Sequence, residues 1–401
     1  MAVYILGWTL DQAGQPVDSI RAFQLAAALP VDYCFPNRLE DMLSLEAAQR
    51  ANPQDPHAPY LLGNFWYAHR CYEEAIDCWE RAGALDQHFP TVQRNLGLAY
   101  FNKHHDSERA LKCFETAFKL NPYDGRVYFE LDQLYKRLNR PPAERLSHMQ
   151  AHLELVEARD DLAIEFITLL NLLARPEEAF RRLMQRNFHP WEGGEGKASG
   201  QYVTCLVEMA KTRLAGGETL AAIELLKQAQ IYPQNLGEGK LYGAQENNIF
   251  YYLGCAYSDL GDEAIARQWF ERAATGLSEP ASTMYYNDQP PEMIFYQGLA
   301  LRKLGRLAEA QAIFTRLVDY GQAHLNDKVQ MDYFAVSLPD FLVFDVDLNQ
   351  RNRQHCQYML GLGSLGLGEA IAAHDHFEAA LALDISHLGV SLHRRMSLDS
   401  F

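Results

Sequence analysis

The sequence has no long apolar run. Nothing in its 401 residues approaches the ~18 consecutive apolar residues of a membrane-spanning helix. Residues Met1 to Leu10 also lack the basic flank, apolar core and small-residue cleavage site of a secretory leader. The expectation is a cytoplasmic chain with no membrane partner. Basic runs are equally scarce. The formal net charge is −16 and the longest basic runs are pairs such as Arg181-Arg182 and Arg394-Arg395, so no stripe is available to neutralise a phosphate backbone, which argues against nucleic acid as a partner. The 7 cysteines are scattered, odd in number and never spaced as C-x-x-C, so they read as buried thiols and not as disulfides or zinc ligands. His-x-His occurs once, at His374 and His376, while H-E-x-x-H and G-x-S-x-G are absent. No catalytic residue, metal or cofactor is assigned. The apolar/polar alternation of extended strands is essentially missing as well.

What is present is a repeat. With 48% hydrophobic and 22% charged residues the chain has ample apolar material for a core, and that material is periodic. Leu62, Gly63, Trp66, Ala75, Trp79 and Ala82 return at a spacing of about 34 residues as Leu96, Gly97 and Tyr100, then, after a one-residue insertion, as Ala110, Phe114, Ala117 and Pro122. Further copies are Leu6, Gly7, Leu10, Phe23, Ala26; Leu253, Gly254, Tyr257, Ala266, Phe270, Ala273; Gly298, Leu301, Ala310, Phe314; and Leu360, Gly361, Ala373, Phe377, Ala380. Weaker ones contain Phe166, Leu170, Ala179, Leu183 and Met209, Ala210, Ala222, Leu226, Ala229. In such a unit two antiparallel helices meet closely where the first carries Gly and the second Ala, and the aromatics fill the space between.

These residues resemble the tetratricopeptide-repeat (TPR) consensus. The resemblance implies an all-α, right-handed superhelical solenoid of antiparallel helix pairs with several long irregular insertions. A single solenoid over 1–401 is expected, with N-terminal repeats in 1–155 and C-terminal repeats in 156–401. Trp66, Trp79, Trp269 and Phe377 are assigned to packing, so the repeats supply scaffold and not chemistry.

Departures from the period locate the candidate function, because insertions in a solenoid map to loops on particular faces. They fall at 187–202, 232–248, 276–293 and 319–353. The first two share E-G-K-x-x-G, at Glu195 to Gly200 and Glu238 to Gly243. This is not a phosphate loop, which would need Gly at Trp191 and Ser or Thr at Ala198. Simple turns and caps would explain the glycines, whereas the aromatic neighbours Trp191, Tyr202 and Tyr242 suit contact with a ligand. Repeating geometry predicts the two connectors side by side. The third insertion joins Tyr285 and Tyr286 to Asn287, Asp288 and two prolines, a mixture suited to sugar hydroxyls or to a protein interface. The fourth, around Tyr333 to Phe344, is too apolar for a solvated loop and is expected either to plug a groove or to dock on another domain. Glu192, Glu195, Glu238, Glu246 and Asp288 are the carboxylates that an acid/base pair would draw on. One recognition surface is expected from Trp191, Glu195, Lys197, Tyr242, Gln245, Glu246, Tyr285, Asn287 and Asp288.

Longer strings narrow the resemblance: FHPWEGGEGK (Phe188 to Lys197), YPQNLGEGKLYGAQEN (Tyr232 to Asn247), MYYNDQPPEMIFYQGLA (Met284 to Ala300) and DYFAVSLPDFLVF (Asp332 to Phe344) are similar to the C-terminal TPR region of bacterial YphG-type proteins. In those, a β-rich N-terminal part of the kind associated with carbohydrate-active enzymes precedes the repeats. The sequence here shows no such part before Leu6, and is read as a fragment or a stand-alone version. The resemblance implies a non-catalytic interaction scaffold that docks with, or completes the pocket of, a β-rich carbohydrate-handling partner. A direct carbohydrate-binding module is the alternative, and a stand-alone glycoside-acting enzyme the least favoured reading.

Overall fold

A computed structural model describes residues 1–191, 193–282, 290–329 and 343–398. Among these the chain is all-helical, as the periodicity requires, with 21 α-helices, one short 3-10 turn and no strand. It divides into two compact units, Met1–Leu134 with Val343–Asp345, and Tyr135–Leu342 with Val346–Phe401.

The first unit contains α1 (Ala2–Gln12), α2 (Pro16–Ala27), α3 (Leu39–Ala51), α4 (His57–Ala68), α5 (Tyr72–Leu85), α6 (Pro90–Asn102), α7 (Ser107–Leu120) and most of α8 (Gly125–Arg137). Prolines at the first positions of α2 and α6 start those helices at no hydrogen-bond cost, and Asp106 caps α7 through the Arg109 amide at 3.0 Å. In each of the pairs α1/α2, α4/α5 and α6/α7 a glycine on the first helix receives an aromatic ring from the second. A Cβ built on Gly97 would lie 2.6 Å from Phe114 Cδ2, and one on Gly63 would lie 2.5 Å from the Trp79 indole. Ala75, Ala82, Ala110 and Ala117 are fully buried at the same contacts. The described end of the fourth insertion belongs to this unit. Phe344, 2% exposed, sits against Phe101 and Phe114 at ring distances of 4.9 and 5.4 Å. The Asn102 side chain meanwhile donates to the Val343 carbonyl and accepts from the Asp345 amide, both at 2.9 Å.

The second unit continues with α9 (Pro142–Gln150), α10 (Leu153–Ala158), α11 (Asp160–Leu172), α12 (Pro176–Met184), α13 (Lys197–Ala215), α14 (Thr219–Ala229), α15 (Asn247–Asp259), α16 (Glu263–Ala273), α17 (Pro291–Lys303), α18 (Leu307–His324), α19 (Leu348–Leu367), α20 (Ala370–Leu383) and α21 (Leu388–Leu398). The glycine-to-ring contact recurs in α15/α16, α17/α18 and α19/α20, with a Cβ on Gly254 falling 2.5 Å from Phe270. Within this unit the last helix lies across the first helices of the pairs. Arg395 of α21 donates to the Asn171 and Leu172 carbonyls at the end of α11, at 3.3 Å each. Met396 receives the Tyr252 and Tyr296 hydroxyls of α15 and α17, at 3.9 and 3.8 Å, and His393 meets Tyr358 of α19 at 3.0 Å. A buried ion cluster joins both ends of the unit. Arg145, whose side chain is 0% exposed, pairs with Glu165 at 2.7 Å and donates to Ser386 at 3.0 Å, while Lys136 reaches Glu165 at 3.0 Å.

Two outcomes follow for denaturation of the full chain. Gly97→Leu overpacks a close helix contact and should lower stability by ~1–3 kcal/mol or more. Gly200→Ala, where the added Cβ meets nothing within 4 Å on a helix, should raise it by ~0.5–1 kcal/mol. Equal midpoints for the two variants would mean that the repeat register is wrong. Burial alone would raise the Glu165 pKa, yet Lys136 and Arg145 outweigh it and hold the group well below the ordinary carboxylate range. Its contribution is therefore present above the unfolded carboxylate pKa and is lost as pH falls through the depressed folded value. Glu165→Gln should cost about 3–5 kcal/mol at neutral pH and flatten the acid limb of the stability profile.

Candidate functional site

The two E-G-K-x-x-G connectors of the second unit are joined directly. Gly196, at φ +72°, is the N-cap of α13 and brings no capping side chain of its own. Glu238 of the other connector supplies it, accepting from the Gly196 and Ser199 amides at 2.8 and 2.9 Å. A carboxylate there satisfies two orphan donors and opposes the positive end of the helix. The junction is tightened on its other side. Asn235 donates to the Leu183 and Arg186 carbonyls at 3.1 and 3.0 Å and its carbonyl accepts from the Phe188 amide at 2.7 Å. Gly237, at φ +73°, lets the backbone pass so close to Phe188 that a Cβ would stand 2.3 Å from its carbonyl oxygen. The connectors are thus side by side, and the glutamate of the second motif is a structural cap.

Their lysines have separate surroundings. Lys240 is bound by Glu246 at 2.6 Å and by the Gln230 carbonyl at 3.1 Å. The Lys197 ammonium is held below its ordinary pKa, first by the loss of solvent around it and then by the charge of Lys136, and it belongs to the neighbourhood of Glu165 and Asp161. Trp191 folds back over its own turn, its indole lying where a Gly194 Cβ would be.

Next to the junction lies a cavity of about 670 Å³, within the ~300–1,000 Å³ common for small-molecule sites. Its walls come from the start of α13 (Gly196, Ser199, Gly200 and on to Glu208), from Tyr232 and 241–249, from Leu277 and the first turns of α17 (Pro290, Glu292, Met293, Tyr296), and from α21 (Leu388, Gly389, Leu392, His393). Of the residues expected from sequence, Tyr242, Gln245 and Glu246 line it. Trp191, Glu195 and Lys197 are not in the lining, although the connector that bears them contributes Gly196, Ser199 and Gly200. Tyr285, Asn287 and Asp288, like Glu192, lie outside the described residues.

Several lining groups have defined ionic states. Glu208 pairs with Lys211 at 2.7 Å and Glu246 with Lys240 at 2.6 Å. Among the described residues the Tyr358 hydroxyl is the side-chain partner of Glu292, and burial pushes its acid up from the ordinary value. His393 is 4% exposed. Its Nδ1 stands 2.8 Å from the Gly389 carbonyl, which can only accept, and 3.0 Å from the Tyr358 hydroxyl, whose proton goes to Glu292, and Nδ1 is assigned the proton on that basis. Burial pushes the imidazole down to about 3, leaving a neutral ring whose Nε2 lone pair has no hydrogen-bond partner among the described residues. The Gln245 Oε1 atom is buried and unpartnered in the same way.

Glu208, Glu292, Tyr296 and His393 were not anticipated. Tyr296 sits in a helical pattern that reads as core, and His393 comes from a helix nearly a hundred residues further along the chain. For Glu292 a signal existed, since it ends the Pro290-Pro291-Glu292 start of a helix at the edge of the third insertion.

Comparison with known proteins finds the tetratricopeptide-repeat family twice, at residues 248–275 and 292–320. These stretches match α15/α16 and α17/α18, so Asn248, Ile249, Glu292, Met293 and Tyr296 of the cavity wall stand on TPR repeats. Among solved structures the chain is similar to YrrB, a TPR protein with an unusual peptide-binding site, with 16% identity, TM-score 0.31, and 57% of this chain and 90% of that chain covered. It is also similar to a chain from the structure of Naa15/Naa10 bound to HypK-THB, with 13% identity, TM-score 0.42, and 90% and 59% covered. A third is a tetratricopeptide repeat protein from Parabacteroides merdae ATCC 43184, with 15% identity, TM-score 0.33, and 75% and 98% covered. No helix among the described residues is long and apolar enough to cross a membrane.

The role of Glu238 is open to direct measurement. Glu238→Ala removes a helix cap and should destabilise the chain by ~1 kcal/mol, with amide exchange accelerating first at Gly196 and Ser199. Unchanged exchange at those two amides would show that the cap is not what joins the connectors.

Proposed function

We propose that the chain is a TPR interaction scaffold whose second unit holds a carbohydrate group in the cavity beside the paired connectors, serving a carbohydrate-handling partner domain. Its role is to bind and position; the reading assigns it no bond-breaking step of its own. The observation that carries the reading is the concave site itself, in which residues from two repeat-breaking connectors, two TPR helices and the terminal helix converge. A docking surface that used only exposed connector tips would have no need of such a recess. The lining joins the aromatic residues Tyr232 and Tyr242 to the amides of Gln245 and Asn248 and the hydroxyls of Ser199 and Thr204. This is the combination that covers apolar sugar faces while pairing with hydroxyls. Support for a β-rich partner comes from the resemblance of the connector strings to YphG-type proteins.

Titration calorimetry of the full chain with mono- and oligosaccharides tests the reading. A measurable affinity is expected, and Tyr242→Ala should weaken it by about three- to tenfold through loss of a stacking face of ~0.5–1.5 kcal/mol. If sugars are silent while a separately supplied β-rich carbohydrate-active domain binds and loses binding on the same substitution, the scaffold reading stands and the sugar is not held by the cavity. Silence in both titrations, with the protein folded, would refute the proposal.

A further inference from the structure

The cavity's chemistry is one-sided. Among the described residues its charged lining consists of Glu208, Glu246 and Glu292, with no lysine or arginine. Two of these acids are already neutralised from outside the lining, by Lys211 and Lys240. Glu292 has no cationic partner among the described residues and takes its side-chain hydrogen bond from the Tyr358 phenol. The buried side-chain atoms of the lining that lack a partner, His393 Nε2 and Gln245 Oε1, are both placed as acceptors. For His393 the assignment follows the shorter of two Nδ1 contacts, 2.8 Å to the Gly389 carbonyl, which can only accept, against 3.0 Å to the Tyr358 hydroxyl, whose proton goes to Glu292. A group left without its hydrogen bond in a buried position is costly, and a ligand that supplies the missing donors recovers that cost.

We propose that the ligand of this cavity carries a primary ammonium group, which donates to His393 Nε2 and pairs with the Glu292 carboxylate, on a hydroxylated frame such as an amino sugar. This rests on the reading of the cavity as a carbohydrate site and narrows it. An ammonium brings three N–H donors and no acceptor, which matches a lining whose open positions are acceptors. A neutral hydroxyl offers one donor together with lone pairs that face Glu292 and His393 unfavourably. An anionic sugar meets the Glu292 carboxylate and, among the described lining residues, no lysine or arginine. Charge complementarity therefore orders the three classes: amine first, neutral sugar second, acid last. The apolar wall contributed by Val203, Val207, Ile249, Leu388 and Leu392 removes water from the pair and strengthens it relative to a surface contact.

The experiment titrates the full chain with glucosamine, glucose and glucuronate at neutral pH, where the amine is largely charged and Glu292, whose acid burial pushes up, is more ionised than under acidic conditions, and repeats the series with Glu292→Gln. Glucosamine is expected to bind roughly tenfold or more tightly than glucose, as for a desolvated charge pair against a neutral hydrogen bond, with glucuronate not binding. Glu292→Gln keeps an acceptor for Tyr358 and should erase the preference, so that glucosamine and glucose bind this variant with about equal affinity. Far-ultraviolet circular dichroism and the melting midpoint establish that the variant is folded, and Tyr242→Ala serves as a second variant that weakens all sugars alike. Equal binding of glucosamine and glucose, or a preference that survives in Glu292→Gln, overturns the ammonium assignment while the carbohydrate reading stands. Absence of binding by all three sugars overturns both.

Discussion

The fold depends on one contact repeated along the chain: an aromatic ring from the second helix of a pair standing in the space that a side chain on the first helix would occupy. At Gly7, Gly63, Gly97, Gly254, Gly298 and Gly361 a Cβ would collide with Phe23, Trp79, Phe114, Phe270, Phe314 and Phe377 respectively. Because the ring is large and the opposing residue has no side chain, the two helices approach until backbone and ring touch, and the flanking buried alanines follow. A helix pair built this way cannot bury its apolar stripe alone and needs a neighbour. Stacking is thus a consequence of the small-to-large contact, and so is the placement of the loops that interrupt it.

Those loops do different work from the repeats they interrupt. In the second unit the connector after α12 ends on a left-handed glycine without a capping side chain, and the connector after α14 lends Glu238 to complete it. This exchange ties two loops that are distant in sequence into one wall. The terminal helix α21 makes the opposite wall by lying across the first helices of the pairs through Arg395, Met396 and His393. Its cost is an imidazole with an unmet acceptor. Strongly packed repeats can support such an unsatisfied group, and the position where it occurs is where a ligand has most to gain.

How far this was legible from residues alone differs between scaffold and site. The repeat was readable because its signal is local and periodic: Gly63 to Trp79 and Gly97 to Phe114 state the same contact twice in one stretch of chain. The adjacency of the connectors was readable for the same reason. What was not readable was which motif residues are used up by the fold. Glu238 reads in sequence as a carboxylate open to acid/base work and is a cap, while Lys240 looks free and is bound by Glu246. Tyr296 lay inside a noted string yet fits a helix's apolar period, so its polar end gave no separate signal, whereas Glu292 was marked only by its place after Pro290-Pro291. His393 was beyond reach, because nothing in a terminal helix announces which distant helices it will cross.

The cavity walled by α13, the 241–249 segment, α17 and α21 is the proposed ligand site of the second unit. Hydrogen–deuterium exchange of the full chain with and without saturating glucosamine tests it. Added protection is expected to be confined to peptides covering 196–208, 241–249, 290–296 and 388–393, with the first unit unchanged. Protection centred on Trp191 and Glu195, or in the first unit, or absent from α21, would contradict it.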